Sequence, residues 1–256
     1  MSPARAVLRR VRDPSPALAA ATVLLQICYP LVRGDARDLL TVVTVVVFFL
    51  TSVSHALVHR GARWTGRYVL ITAGLGLLAE AVGTATGVPF GAYEYADSLG
   101  PQLLGVPVVI PLAWAMFAYP CLLVGQRLAR TALGAAALGG LALASWDLFL
   151  DPQMVAAGHW RFSDVTTSLP GAPGIPLSNY LGWLLVAVLM LGLLQTLGRR
   201  RDGQVDDRVP AALFLWTWVS SVLANAAFFG RPLVALTGGV VMGLVAVPYA
   251  LSLRRP

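Results

Sequence analysis

Long apolar runs separated by short arginine clusters constrain the fold of this chain more than any other feature. A helix of about 20 apolar residues spans the hydrocarbon core of a bilayer. Only 12% of the 256 residues are charged, against roughly 25% in soluble domains. The sequence therefore predicts an all-α polytopic membrane helix bundle, a single integral-membrane domain over residues 1–256. The predicted spans are approximately 17–32, 39–58, 68–88, 106–126, 131–149, 176–198, 210–229 and 232–253.

The distribution of arginines predicts the number and direction of the spans. All 19 basic residues are arginines, and cytoplasmic loops of membrane proteins carry the excess of such residues. Fifteen lie at the two termini and in the second, fourth and sixth connections, and four lie in the others: Arg33, Arg37, Arg161 and Arg231. This alternation favours eight spans in a multi-pass cell-membrane protein with both termini cytoplasmic. Seven spans remain possible, because the first run is short and the last two are close together.

The net charge of +7 has the same explanation. Arginines in short clusters between apolar runs are typical of topology signals rather than of a nucleic-acid-binding surface. No nucleic-acid partner is therefore predicted. The sequence leaves the oligomeric state open.

Glu80 interrupts the third apolar run. An ionised carboxylate at bilayer depth costs roughly 3 kcal/mol or more, so it persists where it faces a protein interior or a wet cavity. The position of Glu80 therefore indicates a functional residue.

Asp147 and Asp151 form a second acidic feature at the end of the fifth run. Residues four apart lie on one face of a helix. Pro152 disfavours helical geometry at Asp151, which indicates that Asp151 turns the chain at the helix end. Two nearby carboxylates in an apolar setting cannot both ionise easily, so one retains a proton, which suits general acid and base catalysis. The structural alternative is that Asp151 caps a turn and Asp147 bonds a neighbouring helix.

The two longest connections, 89–105 and 150–175, combine acids with aromatic residues. Glycine and proline prevent a continuous helix in the first, which predicts a re-entrant or interfacial loop. The third and fifth spans both run outward, so Glu80 and Asp147 approach the same membrane face. Asn179 enters the sixth span from that face. The sequence thus predicts one polar pocket there, walled by Tyr93, Tyr95 and three tryptophans. The tryptophans, Trp146, Trp160 and Trp183, could alternatively belong to an interfacial belt.

Other polar residues within the runs have structural interpretations. His55 and His59 are four apart, but no third ligand accompanies them, and Cys28 and Cys121 lack the spacing of a metal site. No metal site is predicted. Asn225 is expected to form a hydrogen bond between helices.

Several motifs in order along the chain resemble the integral-membrane carotenoid biosynthesis family, which includes carotenoid 1,2-hydratases such as bisanhydrobacterioruberin hydratases. They cover roughly residues 68–190. The motifs are Pro-Phe-Gly-Ala-Tyr-Glu-Tyr (89–95), Leu-Gly-Pro (99–101), Gly-Val-Pro-Val-Val-Ile-Pro-Leu-Ala-Trp (105–114), Asp-Leu-Phe-Leu-Asp-Pro-Gln-Met (147–154), Gly-His-Trp (158–160) and Gly-Ile-Pro-Leu-Ser-Asn-Tyr-Leu-Gly-Trp (174–183).

The resemblance implies that water adds to the terminal C1=C2 double bond of a linear carotenoid, with no cofactor, in contact with membrane lipid. A carboxylic acid would protonate C2, and carboxylates and aromatic faces would stabilise the cation at C1. We assign Asp147 as general acid, Asp151 and Glu80 to cation stabilisation or water activation, and Asn179 to positioning water. The acid and base roles remain exchangeable among Asp147, Asp151, Glu80 and Glu94.

Three other functions remain open. Asp147 and Asp151 are similar to aspartates that hold magnesium diphosphate, which would suit a prenyl-transferring or isomerising enzyme. Acids within helices also serve proton or small-solute transporters. A non-catalytic carotenoid-binding protein would use the same pocket.

Overall fold

The computed structural model describes residues 13–198 and 206–254, and within that part the predicted all-α bundle is confirmed. Among the described residues, seven helices are long and apolar enough to cross a membrane. An additional helix, the first in the chain, is shorter and continues as a 3-10 turn to Leu31. The helices are α1 (Ser15–Cys28), α2 (Asp35–Arg60), α3 (Ala62–Thr86), α4 (Val109–Leu128), α5 (Ala132–Ala157), α6 (Leu177–Gln195), α7 (Arg208–Leu223) and α8 (Pro232–Leu253). A π-helical turn, Ala224–Phe228, extends α7.

Eight of the arginines used to predict topology lie outside the described residues: Arg5, Arg9, Arg10, Arg12, Arg199, Arg200, Arg201 and Arg255. The orientation of the bundle in the membrane therefore stays a prediction. The extent of the chain as a single domain also stays a prediction. The protein is a multi-pass membrane protein.

Helix α4 lies at the centre of the bundle and packs against α2, α3, α5 and α7. Its interface with α5 is close because both helices present small residues there. A Cβ added at Gly125 would lie 2.1 Å from the carbonyl oxygen of Ala135, and one at Gly140 would lie 2.8 Å from Cα of Val188 in α6. Helices α4, α5 and α6 thus pack with their backbones nearly touching.

Helix α5 continues past Pro152, so the prediction that Asp151 turns the chain was wrong. The helix ends at Gly158, whose left-handed backbone (φ 79°) closes it with hydrogen bonds to Met154 and Val155. Proline removes one backbone donor, but within membrane bundles neighbouring helices make such a break tolerable. Pro152 is buried among such neighbours. The extra turns keep Asp147 and Asp151 on one helical face.

The two long connections pair with each other at one end of the bundle. Strand β1 (Tyr93–Tyr95) runs antiparallel to β4 (Trp160–Phe162), and we call this pair the β1–β4 ribbon. A smaller pair, β2 (Gln102–Leu103) and β3 (Val106–Pro107), follows β1. The amide of Ala96 also donates to the carbonyl of His159. The ribbon covers the end of the bundle at which α3 and α5 finish and α4 and α6 begin.

Candidate active site

Glu80 lies in the last two turns of α3 and is 3% exposed. Three side chains donate hydrogen bonds to its carboxylate: Tyr93 Oη to Oε2 at 2.5 Å, Tyr95 Oη to Oε2 at 2.7 Å and Trp114 Nε1 to Oε1 at 2.9 Å. Both carboxylate oxygens therefore have partners. Hydrogen bonds to a carboxylate stabilise its ionised form, whereas burial opposes it, so these three donors offset part of the cost of a buried negative charge.

The tyrosine donors reach Glu80 because side chains alternate along strand β1. Tyr93 and Tyr95 face the bundle, and burial, followed by the charge of Glu80, raises the pKa of each phenol. Both remain neutral donors at physiological pH. Glu94, between them, faces away from the pocket: its side chain is 71% exposed and accepts a 2.6 Å hydrogen bond from Arg161.

Asp147 and Asp151 meet at one amide. The side-chain nitrogen of Asn179, near the start of α6, donates to Oδ2 of Asp147 at 2.9 Å and also to Oδ2 of Asp151. Both carboxyl groups therefore lie within hydrogen-bonding distance of the same nitrogen atom. Within residues 13–198 and 206–254, Oδ1 of Asp147 is buried without a hydrogen-bond partner. Even with Trp160 as a further donor to Asp151, the two acids have fewer donors than two ionised carboxylates require.

Four indoles surround the acids. Trp114 and Trp183 stack with ring centroids 3.9 Å apart and an interplanar angle of 17°, and Trp146 meets the edge of Trp183 at 6.3 Å. Trp160, on β4, packs against Tyr95 with centroids 5.7 Å apart. The faces of such rings carry partial negative charge, so the aromatic walls of the pocket can stabilise a bound cation.

These elements line a partly open cavity of about 30 Å³, which exceeds the volume that one water molecule needs. Glu80 and Asp151 line it from opposite helices, and Asp147 lies behind Asp151 and Asn179. The lining residues are Glu80, Phe90, Tyr93, Tyr95, Ile110, Ala113, Trp114, Leu150, Asp151, Trp160, Phe162, Asn179 and Trp183.

The structure thus brings most of the predicted site residues together. Glu80, Tyr93, Tyr95, Asp151, Trp160, Asn179 and Trp183 line the cavity, and Asp147 and Trp146 contact lining residues. Glu94 lies outside the cavity.

Sequence reasoning did not assign Trp114, although its indole binds Glu80. A tryptophan within an apolar helix gives no sequence signal of the direction in which it points. Tyr180 was also missed; its hydroxyl is buried and has no hydrogen-bond partner among the described residues.

The remaining polar residues of the spans lie elsewhere. His55 contacts Tyr119 Oη and the carbonyl of Asp206, each at 2.9 Å, and His59 contacts Asp13 at 3.2 Å. These are structural contacts. The amide of Asn225 donates to the carbonyl of Ser221 in its own helix, so the expected hydrogen bond between helices is not formed by that nitrogen.

Fold and site together define a class: a polytopic helical membrane protein with a buried pocket of carboxylates and aromatic rings. A family model described as carotenoid biosynthesis protein matches residues 40–250, and the chain belongs to this family. It is also similar to a protein of Haloarcula japonica named bisanhydrobacterioruberin hydratase. The two are 35% identical over 207 residues, which cover 72% of this chain and 67% of the relative. No solved structure matches the chain.

Proposed function

We propose that this protein is a carotenoid hydratase that adds water across the terminal C1=C2 double bond of a linear carotenoid. One observation supports the proposal most directly: the pocket contains carboxyl groups in two different hydrogen-bonding environments. Glu80 receives three hydrogen bonds, whereas Asp147 and Asp151 share one amide. Hydration of an alkene needs a proton donor and a separate negative charge that stabilises the cation. The hydratase relative supports the same reaction.

The aspartate pair would supply the proton. It holds a single proton shared between the two carboxyl groups, and Asp151, which lines the cavity, presents that proton to the substrate. Asp147, assigned as general acid from the sequence, lies behind it and completes the pair. The π electrons of the double bond take the proton at C2, which leaves a tertiary cation at C1.

Glu80 and the stacked indoles would stabilise the cation. This role requires an ionised carboxylate, which the donors Tyr93, Tyr95 and Trp114 favour, and a single preorganised electrostatic group contributes about 3–4 kcal/mol in other enzymes. Water then forms the C1–O bond and gives its extra proton to the aspartate pair. The pair regains its single proton, and the product is a tertiary alcohol.

The arginine distribution supports a pocket on the non-cytoplasmic side of the cell membrane. Arg60, Arg63 and Arg67 lie at the opposite end of the bundle from the pocket, whereas Arg161 lies on the ribbon itself.

The test is expression of the chain in cells that accumulate a linear carotenoid, with pigment analysis by mass spectrometry. The native chain should produce carotenoid that has gained one water per reactive end. Asp151→Asn and Asp147→Asn should each lower the yield by about 10² to 10⁴. Absence of any water adduct with the native chain, or native yield from both variants, would contradict the proposal.

The same variants separate the other functions. A non-catalytic binding protein would retain pigment equally in the native and carboxamide forms, without any water adduct. A transporter would give solute or proton flux in liposomes that lack carotenoid. A prenyl-transferring enzyme would lengthen or rearrange the lipid, and that product differs in mass from a water adduct.

A further inference from the structure

Two arginines converge at the pocket end of the bundle, outside the pocket. Arg37 lies in the first turn of α2, and Arg231 immediately precedes α8. Arg231 Nη1 donates a 2.8 Å hydrogen bond to Oε1 of Gln153, a buried residue two positions after Asp151 in α5. This contact fixes Arg231 at the same end as the candidate active site.

Aromatic rings hold the two guanidinium groups beside each other. The Cζ atoms of Arg37 and Arg231 lie 5.9 Å and 5.5 Å from the ring centroid of Phe229. Arg37 also lies 5.6 Å from the ring of Tyr29, which meets Phe229 edge to face. Its Nε donates to the carbonyl of Val32 at 2.7 Å. Cation–π contacts and hydrogen bonds therefore fix both side chains before any ligand arrives.

Among the described residues no ion pair neutralises these two arginines, although Asp35 and Asp38 also lie in the first turn of α2. Throughout residues 13–198 and 206–254, no carboxylate oxygen lies within 4.0 Å of a guanidinium nitrogen of Arg37 or Arg231. Burial lowers the pKa of Arg231, and the charge of Arg37 acts in the same direction, partly offset by Tyr29. Arginine nevertheless stays protonated in proteins. Two fixed like charges without a counterion are a favourable place for an anion.

We propose that Arg37 and Arg231 bind the phosphate group of an anionic membrane lipid. Guanidinium groups match the geometry of phosphate oxygens and form charge-assisted hydrogen bonds with them. The neighbouring surface is apolar and open: Leu31 is 69% exposed and Phe228 is 54% exposed. A headgroup at the arginines would place its acyl chains against these side chains. This combination favours a lipid phosphate over a soluble one.

The test measures binding of phosphatidylglycerol to the protein in neutral detergent by native mass spectrometry. Arg37→Gln and Arg231→Gln should each weaken binding about tenfold, since one charged hydrogen-bonding partner is lost. Arg33→Gln is the matched control, because Arg33 is an exposed arginine just before α2, at the same end of the bundle. Equal binding by the native chain and the Arg37→Gln/Arg231→Gln double variant would overturn the proposal, and so would an equal loss in Arg33→Gln.

Two further measurements test whether misfolding of a variant, or binding of a soluble phosphate, could explain the change in lipid binding. On the native protein, raising the salt concentration should weaken the binding of phosphatidylglycerol, because partly exposed charges are screened; unchanged affinity would count against the arginine pair. Inorganic phosphate and diphosphate are offered as competitors. Failure of both to displace the lipid at millimolar concentration supports a lipid site, whereas displacement at the same concentration as lipid would replace it with a site for soluble phosphates.

Discussion

The hydroxyl of Tyr93 donates a 2.5 Å hydrogen bond to Oε2 of Glu80, and it thereby joins a loop strand to a carboxylate buried in a membrane helix. The contact is possible because Gly83, one turn after Glu80, has no side chain. A Cβ there would lie 2.8 Å from both Tyr93 Oη and Phe90 Cδ2. Glu80 thus has a structural effect in addition to its proposed chemical role, since it holds the β1–β4 ribbon on the bundle.

Substitution of Glu80 by Gln should abolish most water addition. The glutamine amide carries no negative charge to stabilise the cation. Its NH₂ group cannot accept the hydrogen bonds that the neighbouring groups donate. We expect a fall in hydration of about 10² to 10³ and a loss of about 1–3 kcal/mol in unfolding free energy. Pigment analysis and thermal unfolding in detergent measure the two effects.

Glu94→Gln is the control for that substitution, because Glu94 is exposed and paired with Arg161. An exposed ion pair contributes about 0–1 kcal/mol, so hydration should stay near the native rate. Equal losses in the Glu94 and Glu80 variants would show that the pocket geometry does not decide activity.

Trp114→Phe tests whether the indole acts through its N–H group. Phenylalanine can keep the stack on Trp183, but it removes the donor to Oε1 of Glu80. We expect a loss of hydration of about 10- to 100-fold, since one hydrogen bond to a charged group contributes about 1.5–3 kcal/mol. Trp183→Phe keeps a ring in the stack and leaves that donor in place, so it should lose less. The reverse order would mean that stacking, rather than the hydrogen bond, sets the rate.

Charge in an apolar run is costly, so an acid there is informative. Glu80 and Asp147 stand out for that reason alone. Trp114 does not stand out, since a tryptophan in an apolar helix carries no mark of the direction in which it points. The exposed position of Glu94 depends on the two-residue alternation of β1. That strand forms by pairing with β4, more than 60 residues away, and three residues of sequence do not predict such a long-range contact.

Gly182→Ala should disturb the pocket wall without touching an acid. A Cβ at Gly182 in α6 would lie 2.8 Å from Cδ1 of Phe90 and 2.9 Å from the carbonyl oxygen of Pro89. Backbone must move to admit it, and overpacking costs about 1–3 kcal/mol. Phe90 lines the cavity, so hydration should fall together with stability.

Gly192→Ala, in the same helix, is the matched control. Its nearest new contact is the Cβ of Ala136 at 3.9 Å, which is an ordinary distance. Alanine has the higher helix propensity, by up to about 1 kcal/mol, so this variant should be as stable as the native chain or slightly more stable. Thermal unfolding of both variants measures the difference in stability between them. Equal destabilisation of the two would contradict the close packing of Gly182.

Acidification should loosen the ribbon through His159. This buried side chain joins three segments: Nδ1 lies 2.8 Å from Ser98 Oγ, Nε2 lies 3.7 Å from Oδ1 of Asp38 in α2, and Trp160 follows in β4. Burial lowers the pKa of His159 below its usual 6.5, against the opposing charge of Asp38. The unfolded chain therefore binds this proton more readily than the folded chain. The contribution of His159 to stability is complete above about pH 6.5 and is lost as the pH falls below that value.

His159→Gln removes the titrating group and keeps hydrogen-bonding capacity toward Ser98. We expect the melting temperature of the native protein to fall more between pH 7 and pH 5 than that of this variant, because the variant has no proton to gain there. His59→Gln, at the other end of the bundle beside Asp13, should leave the contribution of His159 unchanged. If the His159 variant and the native protein lose the same number of degrees on acidification, the proton does not act at this residue, and the pH response of the ribbon must come from another group.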